Sequence, residues 1–423
     1  MSGSIKVLSV CTPDSLGGAA RAAYQICQAV HQFGIDGRLF VKDKKTSDNR
    51  VIPLNDFIPH NVFYNSFDWM RNKVKNKWQQ YQWKPYSGRS PYFMSDLRST
   101  DICGALQKID YDVLHLHWIN LRFLSLKDIP KNKPILWTLH DSWPFCGVCH
   151  LPMDCLAYRD ECGCCPALGS VKPKDLSNHV WESKREAYRD RDLHFVAPSR
   201  WMADCARQSS LLGNRDIHVI PNCLDTDVFC PGNREEACRR FGLNPKKRHI
   251  LFGAMNALVD KNKGFDYLAE AMKQIGKRLS SDVDLVVFGA NHVISERIGG
   301  VLVQSLGFLQ DTEDIVSAYQ AADVTVVPSL SENLSCTLME SLSCGVPTVA
   351  FSVGGNGDLI DHQINGYLAK ERDGDDLSKG IIWCLENNND GVLSLNARKK
   401  VLDNYTPEIV GKQYAELYSS LVK

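Results

Sequence analysis

Short apolar runs alternate with segments of helical periodicity along the whole chain. Such alternation is typical of parallel sheets whose strands are joined by crossover helices. The first half has predicted strands at Ile5–Val10, Arg38–Val41, Asp112–His117, Ile135–His140 and Phe195–Pro198. The second half repeats the pattern at Ile250–Gly253, Leu285–Gly289, Ser305–Phe308, Val324–Pro328 and Thr348–Phe351. The predicted fold class is therefore α/β, with two doubly wound domains that face a central cleft.

The domain boundary is predicted near residues 215–235, a stretch that contains Pro221 and Pro231. The first domain is residues 1–215 and the second is residues 216–404. A helical segment, residues 405–423, follows.

Composition is that of an ordinary globular protein and narrows the function classes. Of 423 residues, 44% are hydrophobic and 23% charged, with 49 basic and 49 acidic side chains. This balance gives no reason to expect a nucleic-acid partner. The N-terminus leads directly into a strand and no apolar run reaches 18 residues, so we expect neither a secretory signal nor a spanning helix. A cytoplasmic location follows, in which 16 cysteines suggest reduced thiols or a metal site rather than disulfides.

Residues 329–355 carry the strongest chemical signal. Glu332 and Glu340 lie eight positions apart, between the apolar runs Val324–Val327 and Thr348–Phe351. The order strand, loop, helix, strand puts a helix N-terminus at the carboxyl edge of a parallel sheet, where an anion is favoured. One carboxylate can meet each end of an extended ligand whose phosphate sits between them.

These residues resemble the donor site of a known enzyme family. Glu332-x7-Glu340, then Cys344-Gly345-Val346-Pro347 and Gly354-Gly355, is similar to the motif of retaining glycosyltransferases with the GT-B fold, in the large group 1 family. Further similar motifs are Pro221-Asn222 with Asp225 and Phe229, Lys263-Gly264, Gly307-Phe308, and Ala318 to Pro328. The likeness covers residues 215–370 almost continuously. It extends to bacterial exopolysaccharide and colanic-acid-type members with a Cys-rich insertion.

The resemblance implies an activity and a set of site residues. The activity is transfer of a hexose, with retention, from a UDP- or GDP-sugar to a saccharide or lipid-linked saccharide in surface polysaccharide synthesis, without a catalytic metal. It implies that the segment 405–423 packs back on the first domain. The implied catalytic residues are Glu332, His140 and Lys263. The implied donor-binding residues are Gly17, Gly18, Gly253, Lys263, Glu332, Asn333, Leu334, Ser335 and Glu340.

The implied roles divide the ligand among these side chains. Lys263 and the helix start near Ser335 hold the diphosphate, Glu332 binds sugar hydroxyls, and Glu340 binds the ribose. A covalent role for Glu332 stays open. The sequence departs from the family at Leu258, where an arginine is usual, and at Asn333-Leu334, where glycines and an aromatic residue are usual.

Two features of the first domain have both a structural and a functional interpretation. Gly17-Gly18 precedes a helical pattern and is either a tight turn or an anion-binding loop, with Arg21 available to a phosphate. His140 ends a predicted strand at the edge where such sheets bind ligands, and the family has a histidine there that contacts the sugar. His115 and His117 share one face of the preceding strand and are expected to be structural or to line the cleft.

Six cysteines and one histidine fall between Cys146 and Cys165. The spacing of Cys149, Cys155, Cys162 and Cys165 predicts a structural zinc knuckle in the insertion 146–166, beside the acceptor cleft. Free thiols in a small core, or a disulfide pair, are the alternatives.

A basic, aromatic segment lies between Phe63 and Phe93. An apolar stripe at helical spacing runs from Phe63 to Tyr81, with Arg71, Lys73, Lys75 and Lys77 largely off it. This pattern predicts either a peripheral contact with the inner face of the cytoplasmic membrane or a domain helix whose stripe meets the core.

Two other function classes stay open at this point. One is a sugar-nucleotide epimerase or a phosphorylase on the same fold. The other is a catalytically silent scaffold that binds a partner enzyme, although the presence of Lys263, Glu332 and Glu340 argues against it.

Overall fold

The chain forms two compact units. The computed structural model describes residues 4–15, 17–57, 70, 73–74, 76–78, 80–95, 102–253, 259–290 and 297–423. The first unit is Met1–Pro221 together with Val410–Lys423, and the second is Asn222–Ile409. The chain thus changes units after residue 221, inside the predicted 215–235 stretch, and after residue 409, where the sequence suggested 404.

The first unit contains a seven-stranded parallel sheet. Its strands are β1 (Lys6–Pro13), β2 (Asp36–Asp43), β3 (Val51–Pro53), β4 (Val113–Leu116), β5 (Ile135–Thr138), β6 (Leu193–Ala197) and β7 (Ile217–Val219). Their order is β3-β2-β1-β4-β5-β6-β7. The longer helices are α1 (Gly18–Ala29), α2 (Cys103–Lys108), α3 (Leu176–Tyr188) and α4 (Arg200–Arg207). The order reverses between β1 and β4, the point where such sheets bind ligands.

The second unit repeats this plan. Its strands are β8 (Arg248–Gly253), β9 (Val283–Phe288), β10 (Arg297–Ile298), β11 (Val301–Gly307), β12 (Val324–Val327), β13 (Thr348–Phe351) and β14 (Gly366–Ala369). Their order is β10-β11-β9-β8-β12-β13-β14, with only β10 antiparallel to its neighbour. The helices are α5 (Arg234–Arg240), α6 (Phe265–Leu279), α7 (Thr312–Gln320), α8 (Cys336–Ser343), α9 (Asn356–Leu359), α10 (Gly374–Glu386) and α11 (Val392–Asn404). The order reverses between β8 and β12.

The two doubly wound α/β domains of the prediction are confirmed, and all ten predicted strands are present, nine of them with at least one shifted end. Four strands were not predicted: β3, β7, β10 and β14. They are the edge strands of the two sheets. An edge strand is short and has one unpaired side, so it lacks the continuous apolar run by which buried strands were recognised.

Local sequence determines where several helices begin. An Asp, Ser or Asn side chain accepts a backbone N–H of the first turn at Asp175, Ser199, Asn233, Asp311, Ser335 and Asp373. Each such cap satisfies a donor that the helix itself leaves unpaired.

The last helix, α12 (Pro407–Leu421), begins in the second unit and belongs to the first from Val410 onward. Its Gly411 lies against the backbone of Ala29, where a Cβ atom would be 2.7 Å from the carbonyl oxygen. Tyr414 and Tyr418 are buried, and the Tyr418 hydroxyl is 2.7 Å from Nδ1 of His115. The C-terminal segment is therefore an integral part of the first unit's core.

Candidate active site

The loop after β8 presents Lys263 at the switch point of the second sheet. The Asp260 side chain accepts the backbone N–H of Asn262, and Lys263 N donates to the Asp260 carbonyl at 2.9 Å. Gly264 then adopts a φ of 68°, and a Cβ atom there would be 1.9 Å from the carbonyl oxygen of Pro328. Only glycine fits this position without displacing backbone, which explains the Lys-Gly pair in physical terms.

Asn262 ties this loop to the loop after β12. Its side chain donates to the Ser331 carbonyl at 3.0 Å, and its own carbonyl accepts the Leu330 N–H at 2.9 Å. The two loops follow neighbouring strands, so their side chains meet at one edge of the sheet.

Lys263 and Glu332 form an ion pair at this edge. Lys263 Nζ lies 3.1 Å from Glu332 Oε1, which also accepts the Ser329 hydroxyl at 3.2 Å. Both side chains are partly exposed, and the Glu332 carboxylate raises the pKa of Lys263. A fixed ammonium and a fixed carboxylate thus stand side by side where a ligand can reach both.

The Gly354-Gly355 pair holds the backbone of Glu332. Gly354 has a φ of 54°, and a Cβ atom there would be 1.7 Å from the Glu332 carbonyl oxygen. The same oxygen accepts the Gly355 N–H at 3.1 Å. The Gly354-Gly355 pair, which follows β13, therefore fixes the position of the Glu332 backbone.

Helix α8 begins beside this pair. Ser335 caps it by accepting the Leu338 N–H, and Glu340 lies one turn further on. Glu340 is buried, and its Oε2 accepts the Tyr319 hydroxyl at 2.8 Å. Tyr319 is itself fully buried between the rings of Phe229 and Phe288. This tyrosine is a site-associated residue that the sequence pattern did not reveal.

The remaining predicted donor residues of this unit lie in the same region. Asn333 is half-buried and Leu334 is buried in the β12–α8 loop. Gly253 ends β8, where a Cβ atom would be 2.1 Å from the Phe288 ring, so packing alone requires a glycine there. Leu258 lies outside the described residues. The donor-binding roles of this set stay predictions.

Gly17 and Gly18 lie at the start of α1 in the first unit. Gly17 has a φ of 90° and precedes the helix, and no atom lies within 4 Å of a Cβ built there. The space beside this helix start agrees with either earlier interpretation, a turn or an anion-binding loop.

His140 and Asp141 follow β5 and belong to one polar network. His140 Nε2 is 3.0 Å from His117 Nδ1, and burial lowers the pKa of His140 to about 4. Asp141 accepts hydrogen bonds from Nε1 of Trp118 at 3.1 Å and from Nδ1 of His150 at 2.6 Å. Burial alone would raise the pKa of Asp141, but the His150 ring and these donors hold it below its usual value.

His115 and His117 were expected to be structural or to line the cleft. Both are buried on β4, with rings 4.0 Å apart. His115 Nε2 is 2.8 Å from the Thr138 hydroxyl, and burial lowers the pKa of both rings well below its usual value. Of the two, His117 contacts His140 directly.

The cysteine-rich segment folds around a small cavity of about 10 Å³. Its lining includes Cys146, Cys149, Cys155, Cys162 and Cys165. The neighbouring Cys149 thiol lowers the pKa of Cys165 to about 7, and the same interaction raises the pKa of Cys149. No three His, Cys, Asp or Glu side chains of the described residues already stand as a ready metal-binding set. The predicted zinc knuckle is thus not preassembled and stays a prediction.

The apolar stripe of the basic segment is exposed at three of its described positions and half-buried at a fourth, Trp78. Met70, Val74 and Tyr81 are 60%, 61% and 75% exposed, so at these positions the stripe does not meet the core. Trp83 and Tyr86, further along the chain, pack against the core instead. Phe63, Phe67, Trp69, Arg71 and Lys75 lie outside the described residues. None of the helices in the described parts of the chain is long and apolar enough to cross a membrane.

The structure brings Lys263 and Glu332 together and places Glu340 on the adjoining helix. His140, Gly17 and Gly18 belong to the first unit. Sequence reasoning missed Tyr319, His150 and Trp118, since a hydrogen-bond partner distant in sequence leaves no local signal.

Solved structures share the fold along the entire chain. A sucrose-phosphate synthase from Thermosynechococcus elongatus superposes with a TM-score of 0.64 at 18% identity, covering 99% of each chain. Anabaena HepE in complex with UDP gives 0.61 at 17% identity, over 99% of this chain and 100% of the other. At such identities the likeness shows the fold alone.

Curated relatives match over part of their length. A putative colanic acid biosynthesis glycosyl transferase of Escherichia coli K12 is 27% identical over 252 residues, 57% of this chain and 59% of that protein. An Escherichia coli UDP-Gal:alpha-D-GlcNAc-diphosphoundecaprenol alpha-1,3-galactosyltransferase is 25% identical over 212 residues, 49% of this chain and 54% of that protein. The matched region thus spans little more than half of these relatives.

Two sequence families match, and together they extend over nearly the whole chain. The family described as Glycosyltransferase Family 4 matches residues 16–228, half of the chain. The family described as Glycosyl transferases group 1 matches residues 234–401, which contain Lys263, Glu332 and Glu340. The chain therefore belongs to the group 1 glycosyltransferases.

Proposed function

We propose that this protein is a retaining hexosyltransferase. It moves a hexose from a UDP- or GDP-sugar to a saccharide or lipid-linked saccharide acceptor, in the synthesis of a surface or exported polysaccharide. The observation that carries the proposal is the Lys263–Glu332 pair, 3.1 Å apart, beside the capped start of α8 at the switch point of the sheet.

This arrangement suits a nucleoside diphosphate-sugar. The Lys263 ammonium and the N–H groups at the start of α8 favour the diphosphate. Glu332 can accept two sugar hydroxyls, and Glu340 can accept those of the ribose. Tyr319 then holds the Glu340 carboxylate in place.

The same groups favour bond cleavage. When the C–O bond between the sugar and the diphosphate breaks, its electron pair leaves with the nucleoside diphosphate, and negative charge builds on the phosphate oxygen. Lys263 and the helix N-terminus offset that charge in the transition state. The acceptor hydroxyl attacks the oxocarbenium-like carbon from the same face and passes its proton to the departing phosphate oxygen, so the configuration is retained. The contact of His140 with the transferred sugar, which the family resemblance implies, remains part of the proposal.

Relatives support the choice of donor and acceptor. One is named for UDP-Gal and a diphosphoundecaprenol-linked acceptor, and another for colanic acid biosynthesis. Anabaena HepE has been crystallised with UDP-glucose. A UDP-hexose and a lipid-linked saccharide are therefore the first substrates to try.

A donor screen tests the proposal. Purified protein is mixed with single UDP- and GDP-sugars while the melting temperature and the release of nucleoside diphosphate are measured. One donor should raise the melting temperature by mass action, and Lys263→Ala and Glu340→Ala should abolish the rise. Stabilisation of the native chain by none of the nucleotide sugars would contradict the proposal and favour a silent scaffold.

Product analysis separates the enzymatic alternatives. An epimerase returns a different nucleotide sugar and a phosphorylase returns a sugar phosphate, whereas a transferase returns free nucleoside diphosphate and an extended acceptor. The anomeric configuration of that product, read by NMR, tests retention.

We further propose a peripheral contact with the inner face of the cytoplasmic membrane. Val74 and Tyr81 present exposed apolar surface, and Lys73, Lys77 and Lys84 are exposed nearby. Apolar insertion combined with basic side chains is the pattern of helices that lie on anionic lipid.

Liposome flotation tests this contact. The native chain should float with vesicles that contain anionic lipid at low salt, and Val74→Glu should weaken that binding. Val171→Glu, at another exposed valine of the first unit, is the matched control. Equal flotation of the two variants would contradict a role for this helix.

A further inference from the structure

The cysteine-rich segment contains two matching turns. Cys146-Gly147-Val148-Cys149 and Cys162-Gly163-Cys164-Cys165 each have the pattern Cys-Gly-x-Cys, separated by the twelve residues 150–161. Each glycine is packed against backbone: a Cβ atom would be 2.4 Å from the Ser177 carbonyl oxygen at Gly147 and 2.1 Å from that of Pro173 at Gly163. Two such turns that face one another are a usual frame for a tetrahedral metal site.

The four cysteines of these turns are buried around the same cavity. Its volume of about 10 Å³ accommodates roughly one water-sized sphere. A backbone N–H already points at one of the sulfurs. Gly147 N donates to Cys162 Sγ at 3.1 Å. Hydrogen bonds to sulfur are typical of the surroundings of thiolates bound to metal.

A buried lysine, Lys184, lies beside the cavity. Lys184 has no exposed surface, and its Nζ donates to the carbonyl oxygens of Trp143, Cys146 and Gly147. In the part of the chain that the structure describes, no carboxylate forms an ion pair with it. A zinc ion with four thiolates carries two net negative charges, which would stabilise the charged form of a lysine buried beside it.

We propose that the two Cys-Gly-x-Cys turns bind one structural zinc ion, with four ligands: Cys146, Cys149, Cys162 and Cys165. The four thiols release their protons to solvent as the Zn–S bonds form. Because the described side chains do not yet stand in metal-ligand geometry, the sulfurs must draw together on binding. Cys155, which the sequence pattern placed among the ligands, lines the same cavity but is only half-buried, unlike the four buried cysteines.

Metal content of the full chain tests the proposal. The protein is produced in zinc-supplemented medium, purified without chelator and measured by mass spectrometry of the metal. We expect about one zinc per chain, as for a closed four-thiolate site. Cys146→Ser and Cys162→Ser should lose it. Cys155→Ser should keep it, as should Cys164→Ser, which alters an exposed cysteine of the same turn.

A second measurement does not depend on the folding of variants. The native chain loaded with cobalt(II) should show the intense sulfur-to-metal absorption bands and tetrahedral spectrum of a four-thiolate centre. Lys184→Met should release the metal at a chelator concentration about tenfold lower, since the nearby positive charge is gone.

Several results would overturn the proposal. One is a native chain without stoichiometric zinc or cobalt bands. Another is a Cys149–Cys165 disulfide in peptide mapping of the native protein. Retention of zinc by Cys146→Ser with loss by Cys155→Ser would replace the ligand set. Sugar transfer is not a readout here, so the outcome is independent of the proposed function.

Discussion

Removal of the Tyr319 hydroxyl is the most direct test of how the second unit positions its proposed donor-binding residues. Tyr319→Phe removes one oxygen and leaves the ring packed between Phe229 and Phe288. The lost interaction is the 2.8 Å hydrogen bond to Oε2 of the buried Glu340. We propose that this bond orients the carboxylate that meets the donor ribose.

The loss of stability should be large because the acceptor of this hydrogen bond is a carboxylate. A hydrogen bond to a carboxylate contributes about 1.5–3 kcal/mol, against about 0.5–1.5 kcal/mol for one between neutral groups. For a unit of this size that loss lowers the melting temperature by roughly 3–12 °C. A poorly oriented Glu340 should also raise the KM for the donor, by up to about tenfold for each 1.4 kcal/mol of lost binding.

The assay combines calorimetry with donor kinetics and a matched control. Tyr405→Phe removes a buried hydroxyl of the same unit that donates to the Asp358 carbonyl at 2.7 Å, a neutral acceptor. The control should lower stability less and leave the KM unchanged. A double-mutant cycle with Glu340→Gln then isolates the Tyr319–Glu340 coupling.

Two results would refute this reasoning. Unchanged stability in Tyr319→Phe would show that the hydroxyl contributes nothing to the buried carboxylate. Reduced stability with an unchanged donor KM would limit Tyr319 to a packing role and remove Glu340 from donor recognition.

Three further predictions follow from the geometry. Lys263→Ala should lower kcat by about 100- to 1000-fold, because a group that stabilises transition-state charge is lost. A kcat within about tenfold of the native value would contradict that role. Gly264→Ala should destabilise the second unit far more than Gly242→Ala in urea unfolding: both positions have positive φ, but a Cβ meets the Pro328 oxygen at 1.9 Å in the first and open space in the second. Burial lowers the pKa of His140 to about 4, so between pH 6.5 and 4 the unfolded chain binds a proton that the folded chain does not. The free energy of unfolding should therefore fall on acidification through that window, and it should fall less in His140→Asn. Equal urea midpoints of the native chain at pH 7 and 5 would contradict this.

Much of the fold was predicted from the sequence because buried parallel strands consist of continuous apolar runs. The ten central strands and the repeated plan of two domains were predicted for that reason. The edge strands β3, β7, β10 and β14 were not, because half-exposed strands carry a weak pattern. The stripe that includes Met70, Val74 and Tyr81 shows another limit of sequence patterns. The periodicity identified an apolar face, but it did not show that these side chains are exposed.

The sequence by itself determined the local chemistry: a Lys-Gly loop, Glu332 before a Ser335-capped helix, and glycines where positive φ is needed. These features depend on neighbouring residues, so short motifs encode them. Only the tertiary structure decided which groups meet. It paired Lys263 with Glu332 and Tyr319 with Glu340, and it gathered two cysteine turns beside a buried lysine. Contacts between residues far apart in sequence depend on how the strands and helices pack, and no local pattern records that.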